Sequence, residues 1–429
     1  MPKLKEFLFV KIPDSAEAKY AKISGNRLIL FISGFAWLVF TAALTFEGFG
    51  LDTDAWLMAR SASLLRAGEG YDPARSLGNP LWEFLLVIFQ PELDFRISNG
   101  INLLLALVFL FRLKFWLSGI SGGQIGFIQL CLCLIPVFTE AAGSSMELMS
   151  GWLLLMEAAW AIRHENRRAL FGLALLSSFV RPEFFLFLVL AAWGKKYLLR
   201  ILIIPGLFLL AYLCFSWGKN PAPFQSLAEL PAFYAARGWY LIRQAGLLLP
   251  VYLTLLFLSA GSEEGATSRV GKAALFFFVL FPFEWAYAFP ALLSGLVFFV
   301  KKYRFSFAAG LLLLAGISLS SSLFFTRSGL LALYWQRQLM CSQFRLGETA
   351  EPGSPVLLLD GATFLPTRYQ IWERSHRNRL FHRKGSNFWV GERFSRAELD
   401  SFQREGFRLC RFSGKANPAD WLEDLKPGE

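Results

Sequence analysis

Residues 27–46 read RLILFISGFAWLVFTAALTF, a stretch opened by Arg27 and closed by Phe46 that contains no other charged residue. Twenty residues in an α-helix rise about 30 Å, the thickness of bilayer hydrocarbon. The segment before it, 1–26, carries Lys3, Lys5, Lys11, Lys19 and Lys22 against Glu6, Asp14 and Glu17. The run is too long, too late in the chain and too poorly followed by small residues for a cleaved leader. It therefore predicts a retained first membrane helix, with the amino-terminal segment on the cytoplasmic side.

The whole chain has the same character. Of 429 residues, 55% are apolar and 17% charged, where a soluble domain has roughly 25% charged. Forty-five Phe and a mean hydropathy of +0.44 exceed what soluble cores of about 150 residues can enclose. This composition excludes intrinsic disorder, a secreted disulfide scaffold and a cytosolic nucleotide enzyme. The net charge of +11 reads as a record of insertion topology before it reads as a nucleic-acid footprint.

Basic clusters fall at every second boundary of the apolar runs: Arg112 with Lys114, Arg163 with Arg167 and Arg168, Lys195 with Lys196 and Arg200, Arg269 with Lys272, and Lys301 with Lys302 and Arg304. Runs at 27–46, 96–116, 120–138, 147–162, 169–181, 183–194, 198–217, 241–260, 273–287, 288–300 and 305–325 predict an all-α polytopic membrane protein of about eleven transmembrane helices. The alternation places the amino terminus inside and the carboxyl terminus outside. Spans such as 183–194 are short, so neighbouring pieces are expected to be broken or re-entrant helices. The ten apolar residues 81–90 suit an interfacial helix on the outer leaflet.

From Thr326 the composition changes, and Pro355 to Asp360 reads as a buried strand. Residues 326–429 are expected to form a small α/β domain outside the membrane. Their basic-aromatic pattern, Arg368, Arg374, Arg377, Arg379 and Lys384 with Tyr369, Trp372 and Trp389, suits anionic glycans or headgroups as well as it suits a plain solvated surface. Cys131, Cys133 and Cys214 fall in apolar runs. Cys341 and Cys410 share the outer compartment, though spacing alone does not establish a bridge.

The loop at 47–95 between the first and second spans concentrates acid: Glu47, Asp52, Asp54, Glu69, Asp72, Glu83, Glu92 and Asp94. Asp52-Thr-Asp54 precedes a helix-like stretch from Ala55 to Ala67 that stops at Gly68. A carboxylate there, sheltered by Trp56 and Trp82, can take a proton from an attacking hydroxyl. The competing role is an N-cap, which Asp fills well. At i, i+2 the two side chains point apart on a helix, so one alone faces a substrate, and Asp54 is preferred.

Asp54-Ala-Trp-Leu-Met-Ala-Arg60, Gly68-Glu-Gly70 and Gly78-Asn-Pro-Leu-Trp82 together resemble the first outer loop of GT-C class polytopic glycosyltransferases, most nearly the bacterial arabinofuranosyl- and mannosyltransferase branch. Met146-Glu147, Arg181-Pro182-Glu183 and Glu284 with Tyr287 are similar to later landmarks of that class. Where relatives often carry adjacent acids, this chain has Asp52 and Asp54 around Thr53, which leaves the base open between them. The resemblance implies a GT-C-like bundle that moves a sugar from a polyprenyl-phosphate carrier to an acceptor hydroxyl on the outer face, with inversion. Asp54 or Asp52 is then the general base. Arg60, Arg75, Arg181, Lys219 and Arg237 are the candidates for the donor phosphate, with Glu147, Glu183, Glu284 and Tyr287 in support.

An arginine such as Arg181 between apolar runs costs at least ~2.5 kcal/mol at mid-bilayer and calls for a partner: Glu183, a lipid phosphate, or the interface reached by snorkelling. Glu147 has a plain alternative as a hydrogen-bonding residue that orders the bundle. No Gly-x-x-x-x-Gly-Lys-Ser/Thr loop occurs, and the three histidines, His164, His376 and His382, suit neither a Ser-His-Asp triad nor a His-based zinc site. No cofactor and no resident metal are expected, with a carboxylate-bound divalent cation in the first loop as an open alternative. The expected partners are the lipid-linked donor, a glycan, lipid or protein acceptor, and membrane lipids. A transporter or flippase of a lipid-linked glycan is the competing function, although its charges should line a midplane path.

Overall fold

In the computed structural model, the run opened by Arg27 forms most of helix α1, Ser24–Leu44, and ends in the turn at Thr45 and Phe46. The structure describes residues 24–48, 50, scattered positions between 55 and 68, 79–89, 95–117, 119–193, 196–217, 230–262, 265–282, 284–303, 307–324, 328–338, 355–358, 372–375, 380–383, 388–391, 395–412 and 422–424. The described chain is mostly helical. The helices that follow are α2 (Pro80–Phe89), α3 (Phe95–Trp116), α4 (Gly122–Leu134), α5 (Pro136–Gly143), α6 (Leu148–Arg163), α7 (Arg167–Val180), α8 (Pro182–Ala191) and α9 (Lys196–Trp217). Next come α10 (Leu230–Ala245), α11 (Leu249–Ala260), α12 (Ala266–Leu280), α13 (Trp285–Lys302), α14 (Phe307–Phe324) and a helix over 330–338.

Two of these are long and apolar enough to cross a membrane: α3, and the nearly continuous run Tyr234–Ala260 that joins α10 to α11 through a 3₁₀ turn at Gly246–Leu248. A third is added if α4 and α5, bent by 75°, count as one broken span. The bend explains the difference from the expected single span at 120–138: Pro136 has no N–H to continue the helix, and Ile135 before it is extended. Pro182 divides α7 from α8 in the same way. The expected break between 287 and 288 instead falls at Phe281–Glu284, and Tyr287 lies inside α13.

Small residues let helix backbones meet. A Cβ on Gly295 would strike the Leu255 carbonyl, so α13 lies directly against α11; a Cβ on Gly151 would stand 2.6 Å from the Phe184 ring, so α6 meets α8. Phe109, Phe138, Trp152 and Phe289 fill the centre, with Trp152 and Phe289 stacked at 3.9 Å between centroids. Outward, Phe31, Leu104, Ile203, Phe257 and Leu312 are exposed, a surface suited to lipid rather than to water. In α2, Trp82, Glu83 and Leu86 face inward while Phe84 and Ile88 face out.

Beyond the helices, β1 (Val356–Leu358), β2 (Trp372–Ser375), β3 (Leu380–Arg383), β4 (Phe388–Gly391), β5 (Arg408–Phe412) and β6 (Leu422–Asp424) form a sheet ordered β2-β3-β4-β1-β5-β6. Central β1 runs parallel to β4 and β5, and the outer pairings are antiparallel. The expected strand at 355–360 is β1. A helix at Arg396–Arg404 with a Ser395/Glu398 capping box supplies Phe402, which packs against Leu357 and Leu409. Cys410 is a free thiol that donates to Asp424 Oδ1 at 3.4 Å, while Arg408 Nε donates to the same oxygen at 2.6 Å. Cys341 lies outside the described residues.

Candidate functional site

Arg181 precedes a proline, which forces it out of helical geometry to φ −146°, ψ 106° and turns its side chain into the bundle. Glu147 stands at the start of α6, one turn before Gly151. Because Gly151 admits the Phe184 ring, α6 and α8 approach closely enough for Arg181 Nε to donate to Glu147 Oε1 at 2.5 Å. Arg181 Nη1 is also 3.2 Å from Glu183 Oε1, an ion pair whose angle falls short of a hydrogen bond. The guanidinium carbon lies 4.7 Å from the Tyr287 ring centroid and 5.7 Å from that of Phe184. Arg181 and Glu147 are wholly buried, and Glu183 keeps a small exposed edge. Burial on this scale is tolerable only because charge is matched and the cation is covered by π faces.

The turn before Glu147 is held by polar residues that α3 carries in an otherwise apolar face. Asn102 Nδ2 donates to the carbonyls of Ser144 and Met146 at 2.5 and 2.6 Å. Ser145 Oγ donates to Asn99 Oδ1 and lies 2.6 Å from Ser98 Oγ, while Trp82 Nε1 donates to the Ser145 carbonyl. Asn99 Nδ2 in turn donates to the carbonyls of Thr45 and Gly48, just past α1. The break between α5 and α6 is thus a hydrogen-bonded polar hub rather than a frayed end, although Asn102 Oδ1 and Ser144 Oγ are buried there with no hydrogen-bond partner among the described residues.

Arg337 closes the hub from the far end of the chain. Its Nη2 donates to the carbonyls of Leu44, Gly48 and Gly143 at 2.8, 2.8 and 2.9 Å, its Nε donates to the Glu47 carbonyl, and its Nη1 is 3.3 Å from Glu140 Oε2. Gly50, at φ +154°, is confined beside these groups: a Cβ there would lie 3.0 Å from Ala55 Cβ, 3.0 Å from Ser144 Cβ and 3.3 Å from Glu140 Oε1. Asp52 and Asp54 lie between Gly50 and Ala55 in sequence.

Of the residues expected in the site, the structure brings Arg181, Glu147, Glu183 and Tyr287 into contact. Glu284 is the N-cap of α13, and its carbonyl accepts from Tyr287 N–H. Arg237 lies half-buried on α10 with its guanidinium carbon 6.0 Å from the Tyr240 ring; one turn on, the Leu241 carbonyl accepts from Trp285 Nε1, which keeps α10 beside the start of α13. Asp52, Asp54, Arg60, Arg75 and Lys219 lie outside the described residues. Among the described residues no group of three His, Cys, Asp or Glu is placed to hold a metal ion. Arg337, Glu140 and the Ser98, Asn99, Asn102 stripe were not anticipated; three polar residues at i, i+1 and i+4 in an apolar helix are the signal that marks the stripe. No protein-family model matches the chain, and no curated protein or solved structure matches it.

Proposed function

We propose that this chain is an integral-membrane glycosyltransferase of the GT-C type, with the hub end of the bundle and the carboxyl-terminal α/β domain on the outer face and about eleven spans in all. The observation that carries it is the convergence of the buried Glu147–Arg181–Glu183 cluster and of the flanks of the acidic loop, Gly50 and Ala55, on the single break between α5 and α6. In this reading Asp54, or Asp52 if the loop turns the other way, takes the proton of an acceptor hydroxyl as its oxygen attacks the anomeric carbon. The bond from that carbon to the phosphate oxygen breaks on the opposite face, and polyprenyl phosphate leaves with inversion. Arg181 is already matched by two carboxylates, so it positions Glu147 and the hub. The leaving phosphate then falls to Arg60, Arg75, Lys219 and Arg237, whose charge opposes the charge that develops.

The test is transfer of a radiolabelled sugar from a polyprenyl-phosphate donor in proteoliposomes, with D54N and D52N made separately. Loss of a general base lowers the rate about 10²–10⁴-fold while the melting temperature in detergent stays within experimental error. Undiminished transfer by both variants overturns the assignment. Movement of the lipid-linked glycan across the bilayer without a new glycosidic bond favours a flippase instead.

A further inference from the structure

The helices that build the hub carry a second polar construction at their other ends. From Asn99 to Trp116 along α3, and from Glu147 to Arg163 along α6, the chain climbs about 25 Å. There a pocket of about 450 Å³ opens between the last turns of α3, α6, α8 and α13 and the first turn of α12. Three cations line it, Arg163, Arg269 and Lys301, each from a different helix, with the hydroxyls of Ser262, Thr267, Ser268 and Ser294. Its apolar wall is Trp116, Ile162, Val297 and Phe298.

The start of α12 adds to this field. Its N-cap is Gly265, which offers no side chain to the first amides, and the space where a Cβ would stand is open. Ala266, Thr267 and Ser268, whose N–H groups begin the helix, all line the pocket. Ser262 Oγ donates to the Ser259 carbonyl and stands 2.6 Å from Ser268 Oγ and 3.4 Å from Ser294 Oγ. The hydroxyls therefore form a fixed floor. Glu263 and Glu264, which lead into Gly265, lie outside the described residues. Arg163 and Lys301 are exposed, and neither is ion-paired with a described residue.

We propose that this pocket binds a phosphate-bearing anion: the phosphodiester of an anionic lipid headgroup or a soluble phosphate. Three cations, one of which, Arg269, also donates to the Trp193 carbonyl, together with uncapped helix amides and hydroxyls that can donate, and no described carboxylate in the lining, complement phosphate oxygens. A basic pocket between membrane helices at the end of a span matches the chemistry by which such headgroups are held. The site lies at the opposite end from the proposed transferase centre and does not depend on that reading.

The test uses the full chain in a neutral detergent, with melting followed by tryptophan fluorescence during titration with short-chain phosphatidylglycerol, short-chain phosphatidylcholine and inorganic phosphate. Phosphatidylglycerol is expected to give a saturating rise in melting temperature that falls off with added salt. The R163Q/K301Q double variant, altered only at exposed side chains, is expected to keep the unliganded melting temperature and to bind about tenfold or more weakly. Saturation by inorganic phosphate at comparable concentration supports the site and assigns it to a soluble ligand. An equal rise with phosphatidylcholine, or an undiminished rise in the double variant, overturns it.

Discussion

Arg181 Nε lies 2.5 Å from Glu147 Oε1, and neither side chain has exposed surface. The pair joins the non-helical link between α7 and α8 to the first residue before α6, so it locks two chain breaks together. Such a pair is weak evidence of net stability, yet it is costly to break from one side.

Glu147→Ala is therefore expected to destabilise the protein by about 3–5 kcal/mol, because a buried guanidinium loses its main counter-charge. Glu147→Leu combined with Arg181→Met should be less damaging than Glu147→Ala alone. Denaturant melts in detergent check the order; with Glu147→Leu and Arg181→Met also measured singly, an additive double variant would show that the two side chains do not interact.

Arg337 serves four backbone carbonyls through a planar fork that lysine cannot reproduce. Arg337→Lys is expected to cost about 2–4 kcal/mol by leaving buried carbonyls unmet. If the proposed transferase reading holds, kcat falls as well, because Gly48 and Gly50 lead into the acidic loop. Melting and initial transfer rates measured on the same preparation separate the two effects.

Gly295→Ala drives a methyl group onto the Leu255 carbonyl and is expected to cost about 1–3 kcal/mol as α11 and α13 are pushed apart. Gly172→Ala, in α7 with nothing within 4 Å of the new Cβ, should instead stabilise by about 0.5–1 kcal/mol. Opposite shifts in melting temperature are the expected result.

In the sheet, the Arg408 hydrogen bond holds the Asp424 carboxyl below its ordinary value of 3.8. A lowered folded value means that the contribution is complete above the unfolded value and is lost as pH falls through the folded one. Acid below about pH 3.8 should thus loosen the β5–β6 edge, read as faster amide exchange at Arg411 and Phe412. Burial and the bond to Asp424 push the Cys410 thiol up to about 12, so at pH 8 it should resist iodoacetamide until the protein is unfolded.

Part of the helical layout was legible because proline and apolar run length act locally: the cut at Pro182 falls where the sequence reading put it, whereas Pro136 bends a run that was read as one span. The carboxylate cluster was legible in part, since Arg181, Glu147 and Glu183 each stand out as charges in apolar surroundings. Which carboxylate faces the arginine was not, because the answer depends on Gly151 admitting Phe184, a contact between residues distant in sequence. Arg337 was illegible for a stronger reason. Its acceptors are main-chain oxygens 194 to 293 positions away, and every residue carries one. Arg163, Arg269 and Lys301 were noticed as markers of topology, but three helix ends must be assembled before they become walls of one pocket.

The stacked rings of Phe138, Trp152 and Phe289, with Phe109 tilted against them, stand between the hub and the pocket as an aromatic septum. A solute moving between the two ends through the interior would have to pry these rings apart. Side chains at either end can therefore change while the packing at the other is left alone.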